Sequence, residues 1–260
     1  MSRVVTRRPI ETLSVDLGDP RPPTPAHHAE AYALEAALRS HLNLGALTSP
    51  RSTQGAVGMS EAGRPCDRQL AHRLAGTRPV NLTDPGRALV GTGTHHALAE
   101  VFGRLDGGSG RFEVERRVNY RGVPGTVDLY DRVTGTVVDW KTTTAGKLKR
   151  VRHDGPRVEY VTQVNLYAAA LDVAGESVAW VALAYLPVDG TLADLWVWRA
   201  RYDRAVADAA VARLDSLRMV DHPSTVAASP GPLCPWCPYY RPHVPASRDT
   251  CPGSSMEVQR

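Results

Sequence analysis

Two aspartates and a lysine carry the clearest chemical signal in the sequence. The stretch at 125–144 reads GTVDLYDRVTGTVVDWKTTT, in which Asp128 and Asp139 each interrupt an apolar, β-branched run and Lys141 follows the second acid by two residues. Two carboxylates brought close together repel each other, and a hard divalent cation such as Mg²⁺ or Mn²⁺, which prefers oxygen ligands, offsets that repulsion. The stretch therefore predicts a metal site.

A β-hairpin would bring the two aspartates together. The apolar runs have strand character, and Thr134-Gly135 supplies a turn between them. With a loop at 132–135, Asp131 pairs with Thr136, and Asp128 then lies directly opposite Asp139, where Cβ atoms are roughly 4.5–5.5 Å apart. A one-residue change of register would weaken this argument.

Strand alternation sorts the neighbouring side chains between the two faces of the hairpin. Asp139 and Lys141 share one face, and Val138 and Trp140 share the other. Two carboxylates and an ammonium group therefore converge. The alternative interpretation is a solvated hairpin face with two ordinary aspartates.

Composition favours a polyanionic partner. The chain has 260 residues, 31 basic against 27 acidic, a formal net charge of +4 and a pI of about 9.0, and this length is enough for one domain with extensions. Only Lys141, Lys147 and Lys149 are lysines. Because arginine serves elsewhere as the surface cation, a lysine beside the two acids is a selective choice.

The four cysteines indicate metal binding or redox chemistry. The N-terminus lacks an apolar core of signal-peptide length and no run of about 18 apolar residues occurs, so we expect a cytoplasmic protein that does not enter a membrane. In such a compartment Cys66, Cys234, Cys237 and Cys251 are more often metal ligands or redox groups than disulfides.

Along the chain we expect a flexible, Pro- and Arg-rich arm at 1–28, a core at 29–220, and a cysteine-bearing tail at 221–260 that needs a staple to be ordered. Apolar periodicity within the core predicts helices at 29–45, 87–105, 158–174 and 202–219, a helix within 60–75 that starts at Ser60 or at the Pro65 break, and strands at 111–122, 177–187 and 192–200. The candidate packing residues of the helix at 87–105 are Leu89, Ala97, Leu98, Val101 and Leu105.

Three of these helices carry residues suited to chemistry. His95 and His96 are adjacent and point about 100° apart, so one of them at most can aim at a given site, and structural or solvated histidines are the alternative. Gln163 and Tyr167 are four residues apart and share a helix face. Cys66 lies in the first turn of its predicted helix, where the dipole favours a thiolate, although a lone cysteine is usually a small buried hydrophobe.

A basic segment follows the hairpin. The segment at 145–157 is predicted to be a loop whose cations contact phosphates, and a merely solvated loop is the alternative. Its candidate DNA-binding residues are Lys147, Lys149, Arg150, Arg152 and Arg157.

Taken in order, these motifs resemble the PD-(D/E)xK nuclease superfamily, in its RecB-like branch with an iron-sulfur cluster, which includes CRISPR-associated exonucleases and the AddB nuclease domain. Gly91 and His95 have the spacing of the G-x-x-x-H motif. Asp128 matches the first acid. The later motifs, in chain order, are the D-x-K of Asp139-Trp140-Lys141 and the Q-x-x-x-Y of Gln163 and Tyr167.

The cysteines fit the same resemblance. Cys66 matches an isolated first ligand of a [4Fe-4S] cluster, Cys234 and Cys237 match a later C-x-x-C, and Cys251 would be the fourth ligand after a gap longer than the family pattern. A Cys₄ set also suits Zn²⁺, which remains the alternative. The wide separation of Cys66 from the others resembles the cluster-bearing nucleases more than a zinc ribbon.

The resemblance implies an α/β fold: a restriction-endonuclease-like core with a central mixed sheet flanked by helices, and a Cys₄ cluster tying the tail to an N-terminal helix. It also implies that His95, Asp128, Asp139 and the carbonyl of Trp140 hold Mg²⁺ or Mn²⁺. Lys141 would orient the attacking water, and the catalytic set is completed by Gln163 and Tyr167, which position the DNA strand.

The activity implied is metal-dependent exonucleolytic hydrolysis of DNA, on single strands or free ends, in recombination, repair or phage- and CRISPR-related processing. The alternatives are a structure-specific endonuclease or nickase, and a DNA-binding subunit of a recombination complex that has no turnover. A homo-oligomer, or a recombination or CRISPR-related partner protein, is compatible with each of them.

Overall fold

The computed structural model describes residues 25–47, 57–81, 84–247 and 249–253. The expected flexible arm at 1–28 falls almost entirely outside this part of the chain, as does the end of the expected tail at 254–260. The chain divides into two units, Met1–Gly45 and Ala46–Arg260. The first unit is represented by helix α1 (Pro25–Leu47), whose described side chains are exposed.

A five-stranded mixed sheet organises the second unit. Its strands, in spatial as well as chain order, are β1 (Phe112–Tyr120), β2 (Val123–Asp131), β3 (Thr136–Thr143), β4 (Trp180–Pro187) and β5 (Trp196–Arg201). The pairs β1–β2, β2–β3 and β4–β5 are antiparallel, whereas β3 and β4 are parallel. A parallel pair needs a long crossover, which two helices supply. The predicted α/β fold with a central mixed sheet is confirmed.

Helices cover both faces of this sheet. They are α2 (Met59–Ala62), α3 (Asp67–Leu74), α4 (Gly86–Asp106), α5 (Ala145–Asp154), α6 (Val158–Val173) and α7 (Arg204–Arg218), with short 3₁₀ turns at Leu192–Asp194, Pro223–Thr225 and Cys234–Trp236. Within the described ranges, no helix combines the length and apolar character needed to cross a membrane.

The larger core lies under α6. Every residue of this helix from Thr162 to Leu171 is buried, because α6 contacts the sheet on one side and α2 and α7 on the other. The core joins Leu166 of α6 to Val137 of β3 and Leu214 of α7. A helix buried on several sides is apolar around most of its circumference, and the polar residues left inside it therefore invite explanation.

The opposite face has a smaller core under α4. Leu98 and Phe102 of this helix pack against Leu129, Trp140 and Ala184 of the sheet. None of the helix's residues is fully buried, and predicted packing residues at its edge prove exposed, which corrects the sequence interpretation: Leu89, Val101 and Leu105. The helix is held by one narrow stripe of contacts.

Two further expectations were wrong in detail. Within 60–75 the chain forms two helices, α2 near the predicted start at Ser60 and α3 after the predicted break at Pro65, and Cys66 is the extended N-cap residue of α3 instead of lying in a first turn. Between the two helices Gly63 packs directly against α6, because a Cβ atom there would lie 2.6 Å from the Cα of Glu159. The basic segment after β3 is helix α5, not a loop, because Leu148 is buried and anchors it.

The hairpin has the predicted register. Asp131 pairs with Thr136 across a turn at 132–135, in which Gly135 has a φ of +60°. Continuing this register past the pair Leu129–Val138 sets Asp128 opposite Asp139. Glycine permits the left-handed backbone of the turn, and the turn fixes which side chains face each other.

Candidate active site

Lys141 sits at the centre of a chain of contacts between β3 and α6. Its Nζ atom lies 2.6 Å from Oδ2 of Asp139 and donates a 2.9 Å hydrogen bond to Oε1 of Gln163. The Nε2 atom of Gln163 donates in turn to the hydroxyl of Tyr167 over 2.7 Å. The ammonium group also lies 4.2 Å from the ring centre of Tyr160. An acid, an amide and an aromatic ring therefore fix the position of one cation.

Asp139 is a buried acid whose acceptor capacity is not used up. The residue is fully buried, and burial raises the pKa of its carboxyl to about 6, helped by the charge of Asp128 and opposed by Lys141. Within the described chain, neither of its oxygens accepts a hydrogen bond of good geometry, so the short contact to Lys141 is an ion pair. A buried carboxylate whose oxygens lack hydrogen bonds is stabilised by binding a cation.

Asp128 joins β3 to helix α4. Its Oδ2 atom accepts a 2.8 Å hydrogen bond from the backbone N–H of Trp140, and its Oδ1 atom lies 3.3 Å from Nδ1 of His95. The bond to Asp128 raises the pKa of His95 above its ordinary value. His96 is instead exposed and lies 3.9 Å from Glu100. The structure thus brings His95, and not His96, to the aspartates.

Glu115 is a site residue that sequence reasoning missed. One atom each from His95, Glu115 and Asp128 lie within 4.8 Å of one another. Glu115 has a φ of +50°, which is uncommon for a residue other than glycine. No motif in the sequence singled it out, because its place beside Asp128 depends on the pairing of β1 with β2, in which Val114 pairs with Leu129 and Arg116 with Val127.

At Glu115 the apolar side chains of β1 switch from one face of the sheet to the other. Phe112 and Val114 pack in the small core beside Trp140, whereas Val118 and Tyr120 pack in the large one. Strict alternation would put all four of these β1 residues on one face. The left-handed residue at 115 marks the switch, and it turns a carboxylate toward the site.

This set of groups fits a divalent metal ion. Ligands of Mg²⁺ lie about 2.1 Å from the ion, so two of them are at most about 4.2 Å apart. The spacing of up to 4.8 Å between the His95, Glu115 and Asp128 atoms is close to that limit. Asp139 adds a buried carboxylate on the adjacent strand. Oxygen atoms dominate the donors, as Mg²⁺ and Mn²⁺ prefer.

The four cysteines lie near enough to one another to interact electrostatically. Burial raises the pKa of the Cys237 thiol, and the charges of Cys251, Cys66 and Cys234 raise it further. A parallel bridge between Tyr240 and Cys251 brings the last cysteine beside the C-x-x-C turn. Neighbouring thiolates repel one another, and an iron or zinc centre bound to them would offset this repulsion.

Backbone and arginine donors surround this cysteine cluster (Cys66, Cys234, Cys237 and Cys251). The N–H of Gly231 donates to the sulfur of Cys234 over 3.4 Å, and Arg68 donates to the sulfur of Cys251 over 3.7 Å. Hydrogen bonds to sulfur favour the thiolate form that a metal requires. The donor set therefore fits a metal centre.

Asn81, which the sequence did not single out, clamps the turn that carries two of the cysteines. Its side-chain amide donates to the carbonyls of Cys237, at 2.9 Å, and Tyr240, at 2.6 Å. The backbone N–H groups of Val80 and Asn81 both donate to the carbonyl of Pro238. The tail is thus held to the core by direct hydrogen bonds.

The predicted DNA-binding residues fall into two groups. Along α5, most of them are exposed around the buried anchor Leu148: Lys147, Lys149, Arg150 and Arg152. Arg152 also donates to the carbonyl of Asp194. Arg157 precedes α6 and is paired with Glu159 at 2.5 Å. Arg157 is exposed as well, and it differs from the α5 cations in that Glu159 engages its guanidinium group.

Comparison with protein families places this site in a known context. The PD-(D/E)XK nuclease superfamily matches residues 60–241, a range that holds every group just described except Cys251. None of the curated proteins compared with the chain matches it.

Several solved structures are distantly similar. An alkaline exonuclease from Laribacter hongkongensis is 14% identical, with 63% of this chain and 86% of that one covered and a TM-score of 0.43. The protein SSO0001 is 15% identical, with 82% and 94% covered and a TM-score of 0.43. A phage-related exonuclease from Haemophilus somnus 129PT is 12% identical, with 62% and 91% covered and a TM-score of 0.34. None is close enough to assign an activity.

Proposed function

The chain belongs to the PD-(D/E)XK nuclease superfamily, and from this premise we propose that it is a metal-dependent DNA exonuclease that hydrolyses phosphodiester bonds in single strands or at free ends. The observation that carries the proposal is the placement of Lys141 between Asp139 and Gln163, 2.6 and 2.9 Å from their oxygens. A lysine beside a carboxylate that can hold a metal ion suits phosphodiester hydrolysis, because the ammonium group and the ion both stabilise negative charge that develops on the phosphate.

Each residue of the site would have its own role in hydrolysis. Asp128, Asp139 and His95 would hold Mg²⁺ or Mn²⁺, together with the carbonyl of Trp140, and Glu115 is within reach of the same position. The bound ion would supply Lewis-acid polarisation of the scissile phosphate and a lower pKa for water.

Lys141 orients the attacking water and stabilises the negative charge that develops on the phosphate. Gln163 and Tyr167 form the brace behind it, because their hydrogen bonds restrict where the ammonium group can lie. By resemblance to the family, they would also help to position the DNA strand.

DNA would approach along α5. This helix follows directly after β3, and its exposed cations lie on a rigid element close in sequence to Lys141. Contacts from lysine and arginine to phosphates fix a strand in register without reading its bases. We therefore expect weak sequence preference.

We further propose that the cysteine cluster binds [4Fe-4S], as in the RecB-like branch of the superfamily. Its role is structural: it ties the tail after Cys234 to the N-terminus of α3 at Cys66, and so completes a subdomain formed by residues 221–260. The fit of four thiols with hydrogen-bonded sulfurs supports this, and Zn²⁺ has the same ligand chemistry.

One assay tests the proposed activity. End-labelled and circular single-stranded DNA are incubated with the purified protein and Mn²⁺, with an Asp128→Asn protein as the control for contaminating nucleases. Degradation of the ended substrate alone supports the exonuclease. Cleavage of circles indicates an endonuclease or nickase, and retention of both substrates indicates a DNA-binding subunit without turnover.

A separate measurement tests the cluster. Protein purified without oxygen should be brown, absorb near the charge-transfer bands of iron-sulfur clusters and contain iron and acid-labile sulfide. Colourless protein with one zinc ion per chain and no iron would refute the cluster. A Cys237→Ser variant should lose the metal in either case, which shows that the measured metal belongs to these cysteines.

A further inference from the structure

Tyr185 lies beside Lys141 on the face of the sheet that α6 covers. The register of β3 and β4 pairs Lys141 with Tyr185, and the register of β4 and β5 pairs Tyr185 with Trp196. The rings of Tyr185 and Trp196 are 5.7 Å apart, which shows that both side chains leave the sheet on the same side. Tyr185 therefore belongs to the row of residues that ends in the candidate active site.

Its hydroxyl is buried and unsatisfied. Tyr185 is 3% exposed, and its hydroxyl makes no hydrogen bond to any of the residues that the structure describes. Buried tyrosine hydroxyls usually find a partner. Tyr130, an equally buried tyrosine of β2, does so by donating to the carbonyl of Ser177 over 2.9 Å. Leaving a hydroxyl desolvated reduces stability, so its retention calls for a functional reason.

The hydroxyl lies among charged groups. The groups that act on it electrostatically are Asp139 from β3 and Tyr160, Arg157 and Glu159 from the first turn of α6, and burial above all raises the pKa of the phenol. Both acids already have cations: Asp139 contacts Lys141 and Glu159 contacts Arg157. The Tyr185 hydroxyl is thus a hydrogen-bond donor near Lys141 and Arg157, each of which is already paired with a carboxylate.

We propose that the Tyr185 hydroxyl donates a hydrogen bond to a phosphate oxygen of the DNA strand bound in the site, which makes it a further substrate-binding residue. An anionic oxygen is the acceptor that the surroundings favour, because Lys141 pairs with Tyr185 across the sheet and Arg157 acts on the phenol from the N-cap of α6. This inference rests on the proposed function, since it assumes that the bound strand opens the contact between β3 and the start of α6 and so reaches the hydroxyl.

The test compares two isosteric variants, Tyr185→Phe and Tyr130→Phe. A hydrogen bond to a charged group changes binding by about 10- to 100-fold. Tyr185→Phe should therefore lower kcat/KM for single-stranded DNA by that factor, while its Tm stays at the parent value or rises. Tyr130→Phe should keep the parent kcat/KM and lower Tm by about 2–4 °C, because it removes a satisfied hydrogen bond.

Two results would overturn the inference. One is a Tyr185→Phe protein that cuts DNA as fast as the parent. The other is a fall in Tm as large as that of Tyr130→Phe, which would show that the Tyr185 hydroxyl already has a partner in the free protein.

Failure of the proposed function gives a different result. If the parent does not cut DNA at all, the affinity of each protein for a fluorescein-labelled single-stranded oligonucleotide is measured by anisotropy with Ca²⁺ present. Affinity reduced about 10-fold or more in Tyr185→Phe alone then supports the phosphate contact. Equal affinities in the two variants overturn it.

Discussion

Charged side chains cluster at both ends of the β2–β3 hairpin, but they are well hydrogen-bonded at one end and not at the other. At the turn end, Arg111 holds Asp131 with two hydrogen bonds of 3.0 Å, and Glu176 accepts from Arg116 at 2.6 Å and from Arg132 at 3.0 Å. At the other end, Asp139 is buried with one short ion pair and no well-formed hydrogen bond within the described chain.

The pKa values record this difference. Hydrogen bonds from Arg132 and Arg116 lower the pKa of Glu176, whereas burial raises that of Asp139 to about 6. The turn end therefore stabilises the fold, since its charged forms are favoured there. The site end keeps a carboxylate in a place that disfavours its charge, which is useful only if a cation from outside completes it.

The largest expected effect is on the rate of DNA cleavage, which should depend on the site end of the hairpin and not on its turn end. Lys141→Ala should reduce DNA cleavage by about 10²–10³-fold, because it removes the donor that stabilises charge in the transition state. Arg111→Ala removes a cation from the turn end and should lower stability while cleavage persists. Rates are measured with Mn²⁺ on end-labelled DNA. A folded Lys141→Ala protein as active as its parent would show that the site is elsewhere.

A second prediction concerns the buried acid. The folded pKa of Asp139, about 6, lies above its ordinary 3.8, so the folded protein loses stability as pH rises from about 4 to about 6 and does not recover it above that. Asp139→Asn removes this loss and should raise the free energy of unfolding at pH 8 by about 1–3 kcal/mol.

The measurement is urea unfolding in EDTA at pH 5 and pH 8, since a bound cation would mask the effect. Lys141 keeps its contacts with Gln163 and Tyr160 in this variant. Equal stabilities of parent and Asp139→Asn at pH 8 would mean that the buried charge is already compensated in the free protein.

Glu176→Gln should act in the opposite direction. The pKa of Glu176 is lowered, so its stabilisation is fully present above pH 4.5 and is lost as pH falls through the folded pKa. At pH 7 the variant should be less stable by about 1–2 kcal/mol. Below pH 4 it should approach the parent, as thermal unfolding across this range would reveal. A difference that stays constant with pH would contradict the ion-pair explanation.

The smallest effect should come from charges that belong to neither cluster. Replacing Lys147 and Lys149 of α5 by alanine should raise KM about two- to fivefold and leave kcat unchanged, because exposed cations contribute little each. The slope of log affinity against log salt concentration should become shallower by about one for each phosphate that is no longer bound. The control is Arg117→Ala, which removes an exposed cation from β1. Equal salt slopes in all three proteins would exclude α5 from the path of the DNA.

The sequence predicted the hairpin well because its determinants are local. Thr134-Gly135 sets the turn, and the turn sets the register that opposes Asp128 to Asp139. The pairing of Gln163 with Tyr167 was likewise readable from helical spacing and is present as a 2.7 Å hydrogen bond. Contacts within a single element, or across one tight turn, follow from spacing alone.

Features that depend on distant parts of the chain were missed. Helix α5 has basic composition throughout, and only the packing of Leu148 into the large core, where α5 meets β4, reveals it as a helix. Asn81 gains its role from a tail more than 150 residues away. The unsatisfied hydroxyl of Tyr185 is invisible in a strand of apolar residues, because its significance lies in the partners it lacks within the described structure.

At Glu115, which has a left-handed backbone, the residue that is best for stability differs from the residue that is best for cation binding. Glycine is the residue that relaxes a φ of +50°, and replacing Glu115 by glycine would ease the strand geometry. A glycine, however, would withdraw a carboxylate from beside His95 and Asp128. At this position selection for stability alone and selection for cation binding favour different residues, so a library screened only for folding should enrich glycine, and one screened for metal-dependent activity should retain glutamate.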